Sequence, residues 1–591
     1  MKTLRDIVGG MTREQWVLLL LAGLGAILRI EYLREFSMQP VFALTIGPDT
    51  AEYHARATEL LSGRIFPAAP DIHAPLYSWF LAAAYHLTGG SVGAVRALQL
   101  AMNFAATLSL VPLLKRLGAT FKVRATFLAA AMLTPVVVFH QAELISETLL
   151  LPLLAPTLWL LSLNEECKKR RFAAGVGLGL LILTHGLMLF FAGAEILWGV
   201  IRRRGREALL LTAGVLVVTL PVIAAKSLHY RRPEPLQANG AFNLWIGHHA
   251  GATGGCCLRP GMMWRAPLEQ AKAEAKARNV SETRVFLERI GAFYREHPGE
   301  AAVLPLKKLI LLLAPYEPIS GGDPEARIRE TPVQMLGTGC MAVVMALALW
   351  GIVVAIRHKE GAYKHFYLLA GATAAALLLT VVSGRYRQGM LPGIMLLAAL
   401  GAAELRPRYL TALTAAGILL GWFLLPNLLT IDPEAAALRG EAYCRRGEYA
   451  LAEPYLRYAE SAIDDPARFD NMLGAIAEKR GDVAEAERRY RNVIARDPDF
   501  PDAWLNLGHL LFRQKGKRSE AETLIRASLT RPPESASAHN LLGVAAVERG
   551  DLSEAETQFI RAVRLEPGRR EYEVNLSNCR RLKDAKRKGA K

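Results

Sequence analysis

Apolar runs of about 20 residues recur from residue 15 to residue 427 and then stop. A run of that length matches the hydrocarbon thickness of a bilayer, and a chain that carries many of them has few ways to fold outside one. Eleven candidate spans fall at 15–33, 93–114, 124–140, 144–164, 172–185, 187–201, 207–227, 335–356, 365–383, 387–405 and 409–427. Composition agrees: 52% of the 591 residues are hydrophobic and only 21% are charged, with a mean hydropathy of +0.20. A soluble globular chain is nearer a quarter charged. A purely soluble enzyme, a disordered chain and a collagen-like chain are thereby excluded, and an all-α polytopic membrane domain with a soluble tail is expected.

The formal net charge is +17, and with 29 basic and 27 acidic residues from 431 to 591, only +2 of it belongs to the tail. The remaining charge sits in short clusters between apolar runs: Lys115-Arg116 with Lys122 and Arg124, Lys168 to Arg171, Arg202 to Arg206, Arg357 to Lys364, and Arg406 with Arg408. With eleven spans every cluster falls on one side, as the positive-inside rule requires, so the basic balance speaks for membrane topology and against nucleic acid. Residues 15–33, behind Lys2, Arg5 and Arg13, read as an uncleaved signal anchor. The outer loops then cover about 34–92 and 228–334, and the C-terminus also lies outside. Two shorter apolar stretches, 74–87 and 301–314, are expected to lie in the outer interface, anchored by Tyr77, Trp79, Lys307 and Lys308. Six cysteines form no CxxC pair, and the adjacent Cys256 and Cys257 suit neither a bridge nor a metal.

From 434 the pattern becomes a repeat. Gly440, Gly474, Gly508 and Gly543 are spaced 34, 34 and 35 residues apart, each followed by a small residue at a near-constant offset: Ala452, Ala486, Ala521 and Ala555. Gly447, Gly481 and Gly550 mark turns, Pro498, Pro533 and Pro567 mark ends, and Trp504, Leu507 and Gly508 complete a WxxLG core. This is the tetratricopeptide pattern. Four repeats and a capping helix at 571–582 are expected over 434–582, with a disordered basic tail at 583–591.

Ionisable residues beside spans carry the candidate chemistry. Asp49, Glu52, Tyr53 and His54 follow Gly47-Pro48 in the first outer loop, and Glu143, Ser146 and Glu147 stand at the outer end of the span 144–164. Taken alone, Asp49 reads equally as a helix cap, and the glutamates as complements to a helix dipole.

Their order along the chain adds to this. Asp49 is followed by His73, Pro75 and Tyr77, then Arg96, Ser146-Glu147, Thr184-His185, and Phe242, Asn243, Trp245, Gly247, His248 and His249. Glu296-His297-Pro298 comes next, and Gly384, Arg385, Tyr386 and Arg387 with Pro392 close the series. Over residues 1–430 this succession resembles the dolichyl-phosphate-mannose-protein mannosyltransferases and their bacterial relatives the aminoarabinose transferases, which are glycosyltransferases of the GT-C fold. The resemblance implies Asp49 as the catalytic acid of the first loop and Glu147 as a second acidic residue, with Glu143 as its substitute. It implies substrate contacts at His73, Tyr77, Arg96, Glu143, Asn243, His248, His249, Arg385 and Arg387. His73 stands where relatives carry Lys or Arg, and His248-His249 where they carry Asn-Asn, which leaves sugar or metal contact open there. Thr184-His185 reads more readily as packing.

The chemistry follows from the bond to be broken. A polyprenyl phosphate departs without a strong general acid, so the site needs a carboxylate within reach of the acceptor hydroxyl. It also needs fixed cations for the departing phosphate, a role that suits Arg385 and Arg387, although arginines at a span end also snorkel. No resident cofactor is implied; the lipid-linked sugar is substrate, and a divalent metal stays open. The expectation is an inverting, polyprenyl-phosphate-dependent transferase in a bacterial inner membrane. Its repeats would face the periplasm and engage an acceptor, a protein before a glycan or lipid. The competing reading is a non-catalytic membrane scaffold whose repeats recruit envelope partners. A transporter would instead place charges at midplane.

Overall fold

The computed structural model describes residues 11–38, 48–67, 73–163, 167–234, 236, 240–250, 252, 254–255, 262–314, 337–358, 361–406, 408–416, 433–463, 466–514, 516–531, 535–566 and 569–589. Cys256, Cys257, Gly47, Pro533 and Pro567 lie outside them, as does 417–427 of the last expected span. The chain divides into two compact units, Met1–Ala435 and Ala436–Lys591. Among the described residues both are helical, and the sole extended pairing is an isolated bridge between Gly255 and Val382.

In the first unit the helices are α1 Arg13–Ser37, α2 Pro48–Leu61, α3 Leu76–Thr88, α4 Val92–Arg116, α5 Phe121–Leu133, α6 Pro135–Ala142, α7 Leu150–Ser162, α8 Lys168–Thr184 and α9 Met188–Ile201. Then come α10 Gly205–Tyr230, α11 Gly240–Ile246, α12 Met262–Arg278, α13 Glu282–Glu296, α14 Pro298–Leu313, α15 Gly337–His358, α16 Lys364–Leu379 and α17 Leu391–Glu404. Among the described residues five stretches are long and apolar enough to cross a bilayer: Arg13–Ser37, Val92–Arg116, Gly205–Tyr230, Cys340–His358 and Gly361–Leu379. Ser146–Ser162 and Met188–Ile201 are apolar but shorter.

The expected span 124–140 is broken in two. Thr134 adopts φ −92° and ψ 103°, because Pro135 Cδ crowds the residue before it out of the helical region. The chain restarts as the eight-residue α6.

Small residues let the helices approach closely, the packing mode that lipid favours where apolar burial gives no drive. A Cβ on Gly175 would lie 2.3 Å from the Leu211 carbonyl, and one on Gly351 would lie 1.8 Å from that of Leu397. These contacts lock α8 on α10 and α15 on α17. The buried Glu195 and His365 meet across α9 and α16, with Nδ1 of His365 2.9 Å from the carboxylate.

Helices α2 and α3 seat as one cluster. Tyr53 and Ala57 of α2 pack with Tyr77, Leu81 and Tyr85 of α3, over Val95, Leu144 and Leu149. Each valine or leucine of this cluster withdrawn from water contributes roughly 1.5–3 kcal/mol. Of the four expected interface anchors, Trp79 and Lys307 are exposed. Tyr77 and Lys308 are turned inward, at 0% and 1% exposure. On α14 the reason is periodicity: Ala301, Leu304, Lys308 and Leu312 share its buried face.

In the second unit, Pro433–Arg445 pairs with Tyr449–Ala462, Pro466–Arg480 with Val483–Arg496, Pro501–Phe512 with Arg518–Leu529, and Ala536–Arg549 with Leu552–Leu565. The repeat glycines are where these pairs touch. A Cβ on Gly440, Gly474, Gly508 or Gly543 would lie 2.5–2.8 Å from Leu456, Tyr490, Ile525 or Phe559. Arg570–Gly589 closes the unit as one helix. The residues expected as a disordered tail from 583 are therefore helical to 589, with Lys583 Nζ held by Glu556 at 2.7 Å.

Candidate active site

Helix α2 begins at Pro48, so Asp49 occupies its first turn, where an anion is favoured by the exposed amide dipoles. Its carboxylate turns outward to side chains. Oδ2 accepts a hydrogen bond from Arg385 Nη1, and Oδ1 lies 3.7 Å from His73 Nε2. The same imidazole nitrogen stands 3.4 Å from Glu52. Its ring stacks on Tyr53 at 4.7 Å, and Tyr53 meets Tyr77 edge-on at 4.8 Å.

The opposite wall comes from the stretch between α6 and α7. Helix α6 ends at Ala142, Glu143 is extended, and Ser146–Leu149 form one 3-10 turn that presents Glu147. Three side chains of α4 hold this stretch by its carbonyls. Arg96 donates to Ala142 at 2.8 Å, Gln99 to Glu143 at 2.7 Å and Asn103 to Thr148 at 2.8 Å. Carbonyls at a helix end or in a broken stretch, buried at this depth, need such donors. Glu147 is thus fixed. Its Oε2 accepts from Ser146 at 3.1 Å, and its Oε1 lies 3.7 Å from His185 Nε2 and 3.5 Å from Arg385 Nε.

Arg385 therefore stands between two carboxylates contributed by separate segments. Tyr386 packs beneath the guanidinium, 5.0 Å from ring centroid to charge. Around them lies a cleft of about 200 Å³, bounded by Asp49, Tyr53, His73, Glu147, His185 and Asn243 among others. Burial pushes the Asp49 carboxyl up, but Arg385 and His73 outweigh it and hold the group below its ordinary value. Burial also pushes His73 down; Glu52 and Asp49 outweigh that and leave it raised. Burial, then Glu147 and Asp49, push the Tyr53 hydroxyl well up, so it stays protonated. The arrangement joins an ionised carboxylate, a fixed cation and a titrating one around space for a small polar ligand.

Of the residues expected from the sequence, Asp49, Glu147, His73, Asn243 and Arg385 line this cleft. Tyr77 does not; its hydroxyl donates to Gln99 at 3.1 Å. Arg96 and Glu143 face each other at 3.7 Å, with Arg96 over the Phe36 ring, and brace the Glu147 stretch from behind. Arg387 is 1% exposed and donates to the Ala314 carbonyl at 2.6 Å, away from the cleft. His248 and His249 also lie off it: His248 is bound to Lys308 and Leu244, and His249 is stacked on Trp245. Burial lowers the Lys308 ammonium to about 8. Among the described residues no three His, Cys, Asp or Glu side chains gather as metal ligands.

In the sequence Tyr53, Gln99 and Asn103 have no assigned role, and Thr184-His185 reads as packing. Tyr53 carried a signal, since it lies four residues after Asp49 on the same helical face. So did Gln99 and Asn103, two amides at that spacing within an apolar span.

Fold and site together define a helical membrane protein with an acid- and arginine-lined cleft. Residues 72–228 match the family model of the dolichyl-phosphate-mannose-protein mannosyltransferases, and residues 477–543 match the tetratricopeptide repeat. The first match points to a membrane glycosyltransferase that uses a polyprenyl-phosphate sugar. No curated protein matches the chain. Among solved structures, the crystal structure of the APC/C hetero-tetramer Cut9-Hcn1 aligns at 14% identity, covering 92% of this chain and 98% of that one, with a TM-score of 0.24. The P58(IPK) TPR domain aligns at 15% identity over 54% of this chain and 98% of that one, with a TM-score of 0.17. Scores this low bear on neither fold nor function.

Proposed function

We propose that the protein is an inverting transferase that moves a sugar from a polyprenyl phosphate to an acceptor hydroxyl at the outer face of a bacterial inner membrane. The observation that carries this reading is Arg385 held between Asp49 and Glu147 at the cleft. The donor phosphate takes Arg385 as its fixed partner, since a guanidinium matches phosphate geometry and never loses its charge. His73, when protonated, adds a second positive charge. Displaced from Arg385, the Asp49 carboxylate accepts the acceptor's hydroxyl proton. The acceptor oxygen bonds to the anomeric carbon as the bond to phosphate breaks, and the polyprenyl phosphate leaves with that electron pair. One displacement inverts the anomeric centre. Glu147 orients Arg385 and His185 and balances the charge of Arg385.

The acceptor is a polypeptide, engaged by the tetratricopeptide unit, because stacked repeats offer an extended surface for another chain. The test is turnover by the purified full chain in vesicles, with labelled polyprenyl-phosphate hexose or pentose. Release of polyprenyl phosphate coupled to labelling of an acceptor supports the reading. A folded chain that turns over no such donor would leave the scaffold role instead.

A further inference from the structure

The proposed chemistry leaves one buried cation of the large outer loop without a task. Lys308 lies on the inward face of α14, 1% exposed. Its ammonium donates to the Thr380 carbonyl at 2.5 Å and to Nε2 of His248 at 3.0 Å. His248 Nδ1 lies 2.7 Å from the Leu244 carbonyl, which assigns the ring proton to Nδ1 and leaves Nε2 as the acceptor. Both partners are neutral, and among the described residues no carboxylate pairs with Lys308. Burying an ammonium on these terms is costly, so what the amine holds in place matters.

It holds the approach to Arg385. Thr380 is where the chain leaves α16, at φ −107° and ψ −100°, five residues before that arginine. The loop around His248 presses on the same point: a Cβ on Gly247 would lie 2.0 Å from the Thr380 oxygen. Gly254 accepts from the Val382 amide at 3.0 Å, and the Lys308 stem packs against Gly254. On the other side of Arg385, Arg387 donates to Ala314 at 2.6 Å, just past the end of α14. Helix α14 and the residue after it thus grip the 380–387 segment on both sides of Arg385, the one arginine that enters the cleft among the described residues.

We propose that Lys308 is a positioning residue: through Thr380, and with Arg387 as the second grip, it fixes Arg385 between Asp49 and Glu147. The large outer loop is then part of the phosphate site without touching phosphate. The consequence for donor binding rests on the transferase reading; the placement of the segment does not.

The test uses the full chain in nanodiscs, with hydrogen exchange over 380–387 and binding of a polyprenyl phosphate. Loss of a buried donor should open the segment, so Lys308→Met should speed exchange there by roughly tenfold and weaken lipid-phosphate binding by about as much. Exchange over 436–591 should not change. Lys308→Arg, which keeps a charged donor, should restore both quantities to within about threefold of wild type. Exchange over 380–387 within about twofold of wild type in folded Lys308→Met, or no restoration by Arg, overturns the proposal. Should Lys308→Met fail to fold, Lys308→Gln, a shorter neutral donor, should raise exchange about threefold; unchanged exchange then overturns it. A wild-type chain that binds no polyprenyl phosphate sinks the transferase reading, and the exchange comparison alone then decides the role of Lys308.

Discussion

Arg385 Nη1 donates to Asp49 Oδ2 across 336 residues of sequence. The contact occupies both the proposed base and the proposed phosphate ligand, so the cleft as described is a resting arrangement. A donor phosphate would compete with Asp49 for the guanidinium and, by winning, free the carboxylate to take a proton.

Arg385→Lys should not rescue the site, because a point charge cannot serve Asp49, Glu147 and phosphate with one planar fork. Loss of a preorganised cation at the developing charge typically costs about 100- to 1,000-fold in kcat. Steady-state kinetics with the labelled donor should show a fall in that range for Arg385→Ala and at least about tenfold for Arg385→Lys. Activity retained within a few-fold in Arg385→Ala would remove this residue from the mechanism.

His73 makes donor affinity depend on pH. Its folded pKa is raised above the ordinary 6.5 by Glu52 and Asp49, so its charge, and the stability linked to it, is fully present below 6.5 and is lost as pH rises through the folded value. Polyprenyl-phosphate binding should therefore weaken as pH rises above 6.5 through the folded value, by about three- to tenfold for one screened cation. His73→Arg should flatten the profile. An alkaline decline that persists in His73→Arg would assign it to another group.

Within the tetratricopeptide unit, Arg489 is 8% exposed in its side chain and bound by Asp470 at 2.7 Å, Glu460 at 2.8 Å and Glu485 at 2.6 Å. Arg489→Ala would leave three carboxylates facing a void. Breaking a buried pair from one side costs about 3–5 kcal/mol, and the partial exposure of Glu460 and Glu485 puts this site near 3 kcal/mol. Calorimetry should show the unit's Tm lowered by roughly 6–12 °C. A shift under about 2 °C would mean that water replaces the arginine.

From the one-sided basic clusters we propose that the tetratricopeptide unit lies outside the cytoplasm. A reporter active only in the periplasm, fused after Gly589, should be active; activity from a cytoplasm-only reporter would change the number of crossings by an odd count.

What the sequence could disclose follows from the kind of constraint each residue is under. Gly508 and Ala521 were legible because the pair interface admits no larger side chain, and that demand recurs at every repeat. Asp49, Glu147 and Arg385 were legible through their order along the chain, although nothing local separates Asp49 from a helix cap. Arg96, Glu143 and Arg387 were named for substrate but turn to backbone carbonyls and to each other. A buried arginine looks the same in sequence whether it binds phosphate or a peptide oxygen. In sequence Lys308 looks like an interfacial anchor beside Lys307, and only the heptad-like face of α14 distinguishes the two. Pro135 marks the end of α5 in the sequence, while apolar content alone runs straight across it.

The central claim is that Asp49 is the base at a cleft built around Arg385, and single turnover by Asp49→Asn tests it most directly. The amide keeps the size of the side chain but accepts no proton, and a positioned general base contributes about 100- to 10,000-fold. With folded, donor-loaded protein, sugar transfer should fall by at least about 100-fold, while polyprenyl-phosphate binding holds or tightens because Arg385 loses its competitor. Transfer within a few-fold of wild type, at equal donor occupancy, would contradict the account.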